Sequence, residues 1–210
     1  MWLSPSTLSD ASRSAGFPLT TGQAERLAVY LGMVWDHNNE INLVSVAGEE
    51  ELVRLHGLDF LPLLSDPSEA PLVDVGAGAG FVGIAAAICR PGRSVFLLEP
   101  NARRAFFLNR VKARLGLEVD ILSKDLEGAL AFLPENECVF TARAMPKKER
   151  VFRRLGILRS TAHRLALFLG RDADAMAAQI RPWYTVESMV PLPFRAHACL
   201  MFFQNVSRET

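Results

Sequence analysis

The residues with the clearest chemical potential lie in the run Pro71-Leu-Val-Asp-Val-Gly-Ala-Gly-Ala-Gly-Phe-Val-Gly83. Asp74 is followed by alternating Gly76, Gly78 and Gly80, and Glu99 closes the next apolar run, Ser94-Val-Phe-Leu-Leu-Glu99. Alternating glycines accept positive φ and let a ligand approach bare backbone. The free N–H groups of a helix starting behind them suit a polar or anionic ligand. An acid about 20 residues past such a turn meets ribose hydroxyls. The chemistry this spacing allows is the holding of a nucleoside-bearing cofactor. Arg143 follows a further apolar run and would stand at the carboxyl edge of its strand, over the crevice where open α/β sheets bind ligands. His56 and Asp59 lie three apart on one face of an expected helix and read as a polar helix contact.

These residues need a strand, a tight turn and a helix to position them. Leu72, Val73 and Val75 form a short apolar run that stops at Gly76, and Phe81 to Ile88 is apolar and Ala-rich, as the start of a buried helix is. Together they make the first half of a nucleotide-binding α/β unit. Two cofactors fit the glycines. D-x-G-x-G-x-G with a spaced acid is the pattern of S-adenosylmethionine (SAM) methyltransferases, while Gly78-Ala-Gly80-Phe-Val-Gly83 also satisfies the G-x-G-x-x-G of NAD enzymes. Asp74 sits near the strand end, where dinucleotide folds usually carry apolar residues.

Upstream, Met1 to Pro18 is Ser-rich, with Pro5, Gly16 and Pro18, and reads as a poorly ordered arm or a short capping segment. Thr20 or Thr21 can cap a helix whose stripe is Leu27, Tyr30, Leu31, Val34 and Trp35, ending near His37-Asn38-Asn39. A second helix is expected over Glu49 to Leu64. Pro67 and Pro71 mark a boundary between an N-terminal helical extension, residues 1–66, and a ligand-binding domain, residues 67–210. Downstream, strands at 94–98, 118–122, 138–141 and 164–169 alternate with helices at 101–115, 126–132, 146–158 and 172–180. In the first of these helices Phe106, Leu108 and Val111 are expected inward. Two closing strands, 184–190 and 199–203, are joined through Pro191 and Pro193. Such alternation implies a mostly parallel sheet covered on both faces, with an antiparallel last strand.

The 210 residues are half hydrophobic, enough for a real core. No apolar stretch reaches the ~18 residues of a membrane span. Met1 to Pro18 lacks the basic head and apolar segment of a secretory signal. Cys89, Cys138 and Cys199 lie on or beside apolar runs and read as reduced core residues of a cytosolic protein. His37, His56, His163 and His197 show no metal-ligand spacing. Net charge is zero but unevenly spread: residues 1–60 hold eight acids and three bases, and residues 90–114 hold seven bases against Glu99. Residues 143–164 hold eight bases (Arg143, Lys147, Lys148, Arg150, Arg153, Arg154, Arg159 and Arg164) against Glu149. That asymmetry can put a basic face on a neutral protein.

An ordered set of patches then covers nearly the whole chain: Tyr30-Leu31, Trp35 and Asn38 to Leu43; Val53-Arg54, His56 and Leu58-Asp59; Val73 to Gly83; Leu97-Leu98-Glu99 with Arg104 and Phe107-Leu108; and Thr141-Ala142-Arg143-Ala144. In these the chain resembles the bacterial RsmG/GidB family of 16S ribosomal RNA guanine-N7 methyltransferases, whose segments read Y-L…W-N-x-x-I-N-L, V-D-V-G-S-G-A-G-F-P-G, L-L-D/E-S-x-x-K-R-x-x-F-L and S-R-A. The resemblance implies a Rossmann-like class I SAM-dependent methyltransferase fold, with a seven-stranded, mostly parallel sheet. It implies SAM as cofactor, with Gly76, Gly78 and Phe81 lining its site, Glu99 by the ribose, Leu126 and Glu127 bordering the adenine, and Arg143 near the methionine end or the target base. It implies 16S rRNA or the small ribosomal subunit as partner, with RNA phosphates on the basic strip after Arg143. A cytoplasmic monomer is expected, with no membrane partner. Guanine N7 is already nucleophilic, so no catalytic base and no metal is assigned. The chain departs from the family at Val82 (usually Pro), at Lys124-Asp125, at Leu169-Gly170 (usually Lys-Gly) and at Gln204-Asn205 (usually basic). These losses keep two alternatives open, a SAM enzyme of another RNA or small molecule and a non-catalytic RNA- or protein-binding relative. An NAD enzyme fits Asp74 and the antiparallel ending badly.

Overall fold

Helix begins at the first capping signal of the chain. The computed structural model describes residues 2–158 and 163–206. Ser4 accepts the N–H of Thr7, Pro5 occupies the first turn, and α1 (Pro5–Ser14) packs on α2 (Thr21–Ile41) with Leu8 fully buried. The segment expected as a poorly ordered arm or a short capping segment is thus a regular helix. Its serines serve as a cap and as local bonds, Ser12 donating to the Ser9 carbonyl and accepting from Leu19 N–H. Thr20 and Gln23 form a capping box on α2, which buries Leu27, Tyr30, Leu31 and Val34 and leaves Trp35 at the edge of the stripe. The helix runs past the Asn pair to Ile41 because Asn42 supplies the left-handed cap and Asn38 accepts from Val44 N–H.

The single helix expected over Glu49 to Leu64 is three pieces. α3 (Glu49–Leu52) widens into a π-helical turn, Val53–Gly57, and a 3-10 turn follows at Leu61–Ser65. Gly57 is pressed on α2, where a Cβ would stand 2.6 Å from Leu31 Cδ1. The carbonyls of Leu55 and His56 turn instead to arginines elsewhere in the chain.

The remainder alternates as β1 (Leu72–Val75), α4 (Gly83–Cys89), β2 (Val95–Leu98), α5 (Ala102–Leu115), β3 (Asp120–Leu122), α6 (Leu126–Ala129), β4 (Cys138–Arg143), α7 (Lys148–Leu158), β5 (His163–Leu169), α8 (Ala173–Ile180), β6 (Tyr184–Pro191) and β7 (Cys199–Asn205). Among the described residues they form a seven-stranded sheet ordered β3-β2-β1-β4-β5-β7-β6. The pairs from β3 through β5 are parallel, and β7 runs antiparallel to both β5 and β6. The strand order turns back between β1 and β4, so a crevice opens at their carboxyl ends. One face is covered by a buried cluster in which Leu8, Leu27 and Leu31 join Ile84, Phe107 and Leu108. The other is covered by Phe152 and Leu155 of α7 and Met176 and Ile180 of α8. On α5 the inward residues are Phe107, Leu108 and Val111, whereas Phe106, expected inward, is 64% exposed because it lies off their face.

Candidate active site

The site is built on the glycine turn that ends β1. Gly76, Gly78 and Gly80 have φ of 71°, 59° and 89°, a region that side-chained residues rarely adopt. Glu99, buried after β2, accepts the Gly78 N–H through Oε2 and the Asn101 N–H through Oε1, both at 2.8 Å. Asp74 Oδ2 accepts the Gly83 N–H at 2.8 Å, and the Tyr30 hydroxyl of α2 donates to the Ala79 carbonyl at 2.9 Å. The turn is therefore fixed by two carboxylates and by the N-terminal helices.

Two clefts meet at Gly76. One, of about 580 Å³, is lined by Val75, Gly76, Pro100, Lys124 to Glu127, Met145 and α7 residues including Arg150 and Arg154. The other, of about 530 Å³, is lined by the turn from Gly76 to Ala79, by Phe81 and Asp74, and by His56, Asp59, Arg104, Arg143, Lys148 and Arg195. Met145 stands at the junction, its sulfur 3.5 Å from where a Cβ on Gly76 would lie.

Burial dominates the electrostatics of the second cleft. Asp74 is pushed up to about 7, burial outweighing the Gly83 N–H and the Arg143 charge, with Glu99 adding to the rise. His56 is pushed down to about 3 by burial and by the cations Arg143 and Arg195. Burial also raises Asp59, against the pull of the same two arginines. Tyr30 is held well above the ordinary phenol range by burial and by Asp74.

The structure gathers most of the expected site residues. Leu126 and Glu127 line the first cleft, Gly78, Phe81 and Arg143 the second, and Gly76 both. Glu99 lines neither and stands behind the turn, 4% exposed. Glu127 is paired with Arg154 across the rim of the first cleft. His56 and Asp59 are more than a helix contact: Asp59 is fully buried and ion-paired with both Arg143 and Arg195. Arg195 carried no spacing signal in the sequence. Lys148 shares the second cleft with Leu169 and Gly170, so a cation stands in the cleft although residue 169 is apolar.

The basic strip is narrower than its sequence count. Arg159 lies outside the described residues. Arg164 is on β5, bonded to Asp66 and Glu187, and Lys148 is paired with Asp172. Lys147, Arg150, Arg153 and Arg154 remain exposed. In the 90–114 stretch, Arg93 is buried beside Asp66 and Arg90 pairs with Glu69. Among the described residues no group of three His, Cys, Asp or Glu could hold a metal ion, and no helix is long and apolar enough to cross a membrane.

Comparison with known proteins adds to this geometry. The family model for rRNA small subunit methyltransferase G (GidB) matches residues 23–194. A ribosomal RNA small subunit methyltransferase G of Nitrosospira multiformis is 36% identical over 128 residues, covering 60% of this chain and 59% of that protein. One of Nitrosomonas eutropha is 32% identical over 174 residues, 80% of each chain. For several such relatives the match spans about half of their length, from 46% to 59%. Among solved structures, a putative methyltransferase of Escherichia coli, YhhF, aligns with a TM-score of 0.54 at 13% identity, covering 71% of this chain and 84% of that one. The architecture is the Rossmann-like fold of methyltransferases.

Proposed function

The chain belongs to the rRNA small subunit methyltransferase G family, and on that premise we propose that it transfers the methyl group of SAM to N7 of a guanine in 16S ribosomal RNA. The observation that carries the reading is Gly76, a left-handed glycine whose backbone is common to two clefts at the carboxyl side of the sheet. Each cleft falls in the ~300–1,000 Å³ range of small-molecule sites. A side chain at Gly76 would crowd their junction, so the cradle suits a ligand that crosses it.

In this reading the first cleft holds the adenosine, with Leu126 and Glu127 bordering the adenine. Glu99, which lines neither cleft, puts both carboxylate oxygens on backbone N–H groups, of Gly78 and Asn101, and so shapes the turn from behind rather than meeting the ribose itself. The second cleft takes the methionine end, with Phe81 and Arg143 beside it and Asp74 as the carboxylate for its ammonium. When bound, SAM supplies an electrophilic methyl group on a sulfonium. Guanine N7 needs no deprotonation, so the protein's work is to align the acceptor and exclude water. His56, with its depressed pKa, is a neutral imidazole at neutral pH and supplies no general acid. The exposed Lys147 and Arg153 meet RNA phosphates, positioning the substrate without reading its sequence.

Calorimetric titration with SAM, with NAD as control and Arg143→Ala alongside, tests the cofactor. Micromolar SAM binding, weakened in Arg143→Ala and absent with NAD, is the expected result. NAD binding, or no SAM binding, overturns the reading.

A further inference from the structure

The Leu55 carbonyl, in the π-helical turn, is the meeting point of two arginines from distant parts of the chain. Arg143, at the end of β4, donates to it at 2.6 Å. Arg195, between β6 and β7, donates to it through Nε at 3.1 Å and again through a terminal nitrogen. Both guanidiniums also reach Asp59 Oδ2, at 3.1 and 2.7 Å. Asp59 is fully buried, and its Oδ1 has no partner among the described residues. His56 completes the fixture. Its Nδ1 accepts from Arg143 at 2.9 Å, since a guanidinium has no acceptor to offer. Its ring lies 5.2 Å from that of Phe81, over which Arg143 sits at 5.4 Å.

Stability alone does not account for this arrangement. Buried ion pairs are often replaceable by apolar residues without loss. An unpartnered buried carboxylate oxygen is costly. The π-helical turn gives up regular helix bonding to offer two carbonyls to arginines, and such turns recur at functional sites. The beneficiary is Arg143, a flexible side chain held by two carbonyls, a carboxylate and an imidazole in one direction at the second cleft.

We infer that Asp59 and Arg195 are positioning residues that act through Arg143, fixing its guanidinium against Phe81 in the second cleft. The inference rests on the proposed role of Arg143 in cofactor binding. Neither Asp59 nor Arg195 has to touch the cofactor for this. Arg195 braces Arg143 by sharing its two anchors, Leu55 O and Asp59 Oδ2. Removing either brace frees Arg143 to sample other rotamers and lowers the fraction of protein ready to bind.

The test is a cycle of SAM titrations on wild type, Arg143→Ala, Arg195→Gln and the double variant, with Asp59→Asn as a second probe of the same anchor. Arg195→Gln should weaken SAM binding roughly tenfold, within the coupling range of residues in one network. The double variant should bind no more weakly than Arg143→Ala alone. Effects that multiply in the double variant, or wild-type affinity in Arg195→Gln, overturn the inference. If Asp59→Asn does not fold, the Arg195 cycle carries the result. A second readout needs no cofactor: the Arg143 guanidinium NMR signals should be sharp in the free wild type and broadened in Arg195→Gln. Unchanged signals overturn the inference. Failure of the wild type to bind SAM, with that contrast intact, overturns the cofactor reading and supports the clamp.

Discussion

Replacing Gly83 by Ala should destabilise the protein, against the direction that helix propensity gives. Gly83 opens α4, where Ala is ordinarily favoured over Gly by up to ~1 kcal/mol. Its conformation needs no glycine, but its surroundings do. A Cβ there would lie 2.2 Å from Leu97 Cδ2 and 3.0 Å from Asp74 Oδ2, with Leu97 fully buried. Apolar carbons settle at about 3.5–4.0 Å, so Leu97 or the helix must shift by more than ~1 Å. Overpacking of this kind costs about 1–3 kcal/mol. The shift also stretches the Gly83 N–H bond to Asp74, putting at risk part of the ~0.5–1.5 kcal/mol of an ordinary hydrogen bond, and more where Asp74 is ionised. Less the propensity gain, the net loss is about 1–4 kcal/mol. For a chain of this size that lowers the unfolding midpoint by roughly 2–15 °C. Thermal unfolding followed by circular dichroism reads it directly. A midpoint equal to or above the wild type would refute the packing argument and with it the tight seating of the turn.

Gly76→Val should abolish SAM binding while the fold survives, because it forces a β-branched residue to φ of 71° and places its side chain at the cleft junction; unchanged SAM affinity in calorimetry would remove Gly76 from the site. Asp74 gives a pH signature. Its pKa rises from 3.8 unfolded to about 7 folded, so between those values the folded protein keeps a proton the unfolded chain has lost, and stability falls as pH climbs. His56 works oppositely, its folded pKa of about 3 making stability rise with pH up to its ordinary 6.5. Urea unfolding of Asp74→Asn against wild type across this range isolates the first effect, and identical profiles would contradict the buried proton. SAM affinity should climb toward pH 7 and flatten above it in wild type, and should lose that dependence in Asp74→Asn. Charge reversal at Lys147 and Arg153, which line neither cleft, should weaken RNA binding roughly tenfold and reduce its salt slope by about two, with SAM affinity unchanged; unaltered RNA binding would move the RNA face elsewhere.

What the sequence made legible was whatever has a local signature. The Asp74 to Gly83 turn declares itself through glycines that adopt positive φ, and the mostly parallel sheet follows from the alternation of short apolar runs with helical ones, whereas the order of its strands comes only from the structure. The N-terminal segment is ambiguous in sequence because serine serves equally in disordered chain and in caps; the burial of Leu8 on α2 decides between them. The change of the helix after Leu52 has no local signal because its partners are remote: Gly57 lies against Leu31, and the Leu55 and His56 carbonyls accept from Arg143 and Arg195. For the same reason Arg195 has no signature in the sequence, standing 136 residues from the carboxylate it shares. Charge counts along the chain overstated the basic face, since Arg93 and Arg164 converge on buried Asp66.

The most direct measurement is methyl transfer itself. Purified protein would be given SAM with a labelled methyl group together with small-subunit ribosomal RNA or the intact subunit, and the modified base mapped by cleavage at 7-methylguanosine. Label confined to N7 of a guanine in 16S rRNA, and lost in Gly76→Val, is the predicted result. Label on another atom or another substrate, or no transfer by a protein that binds SAM and RNA, would contradict the account.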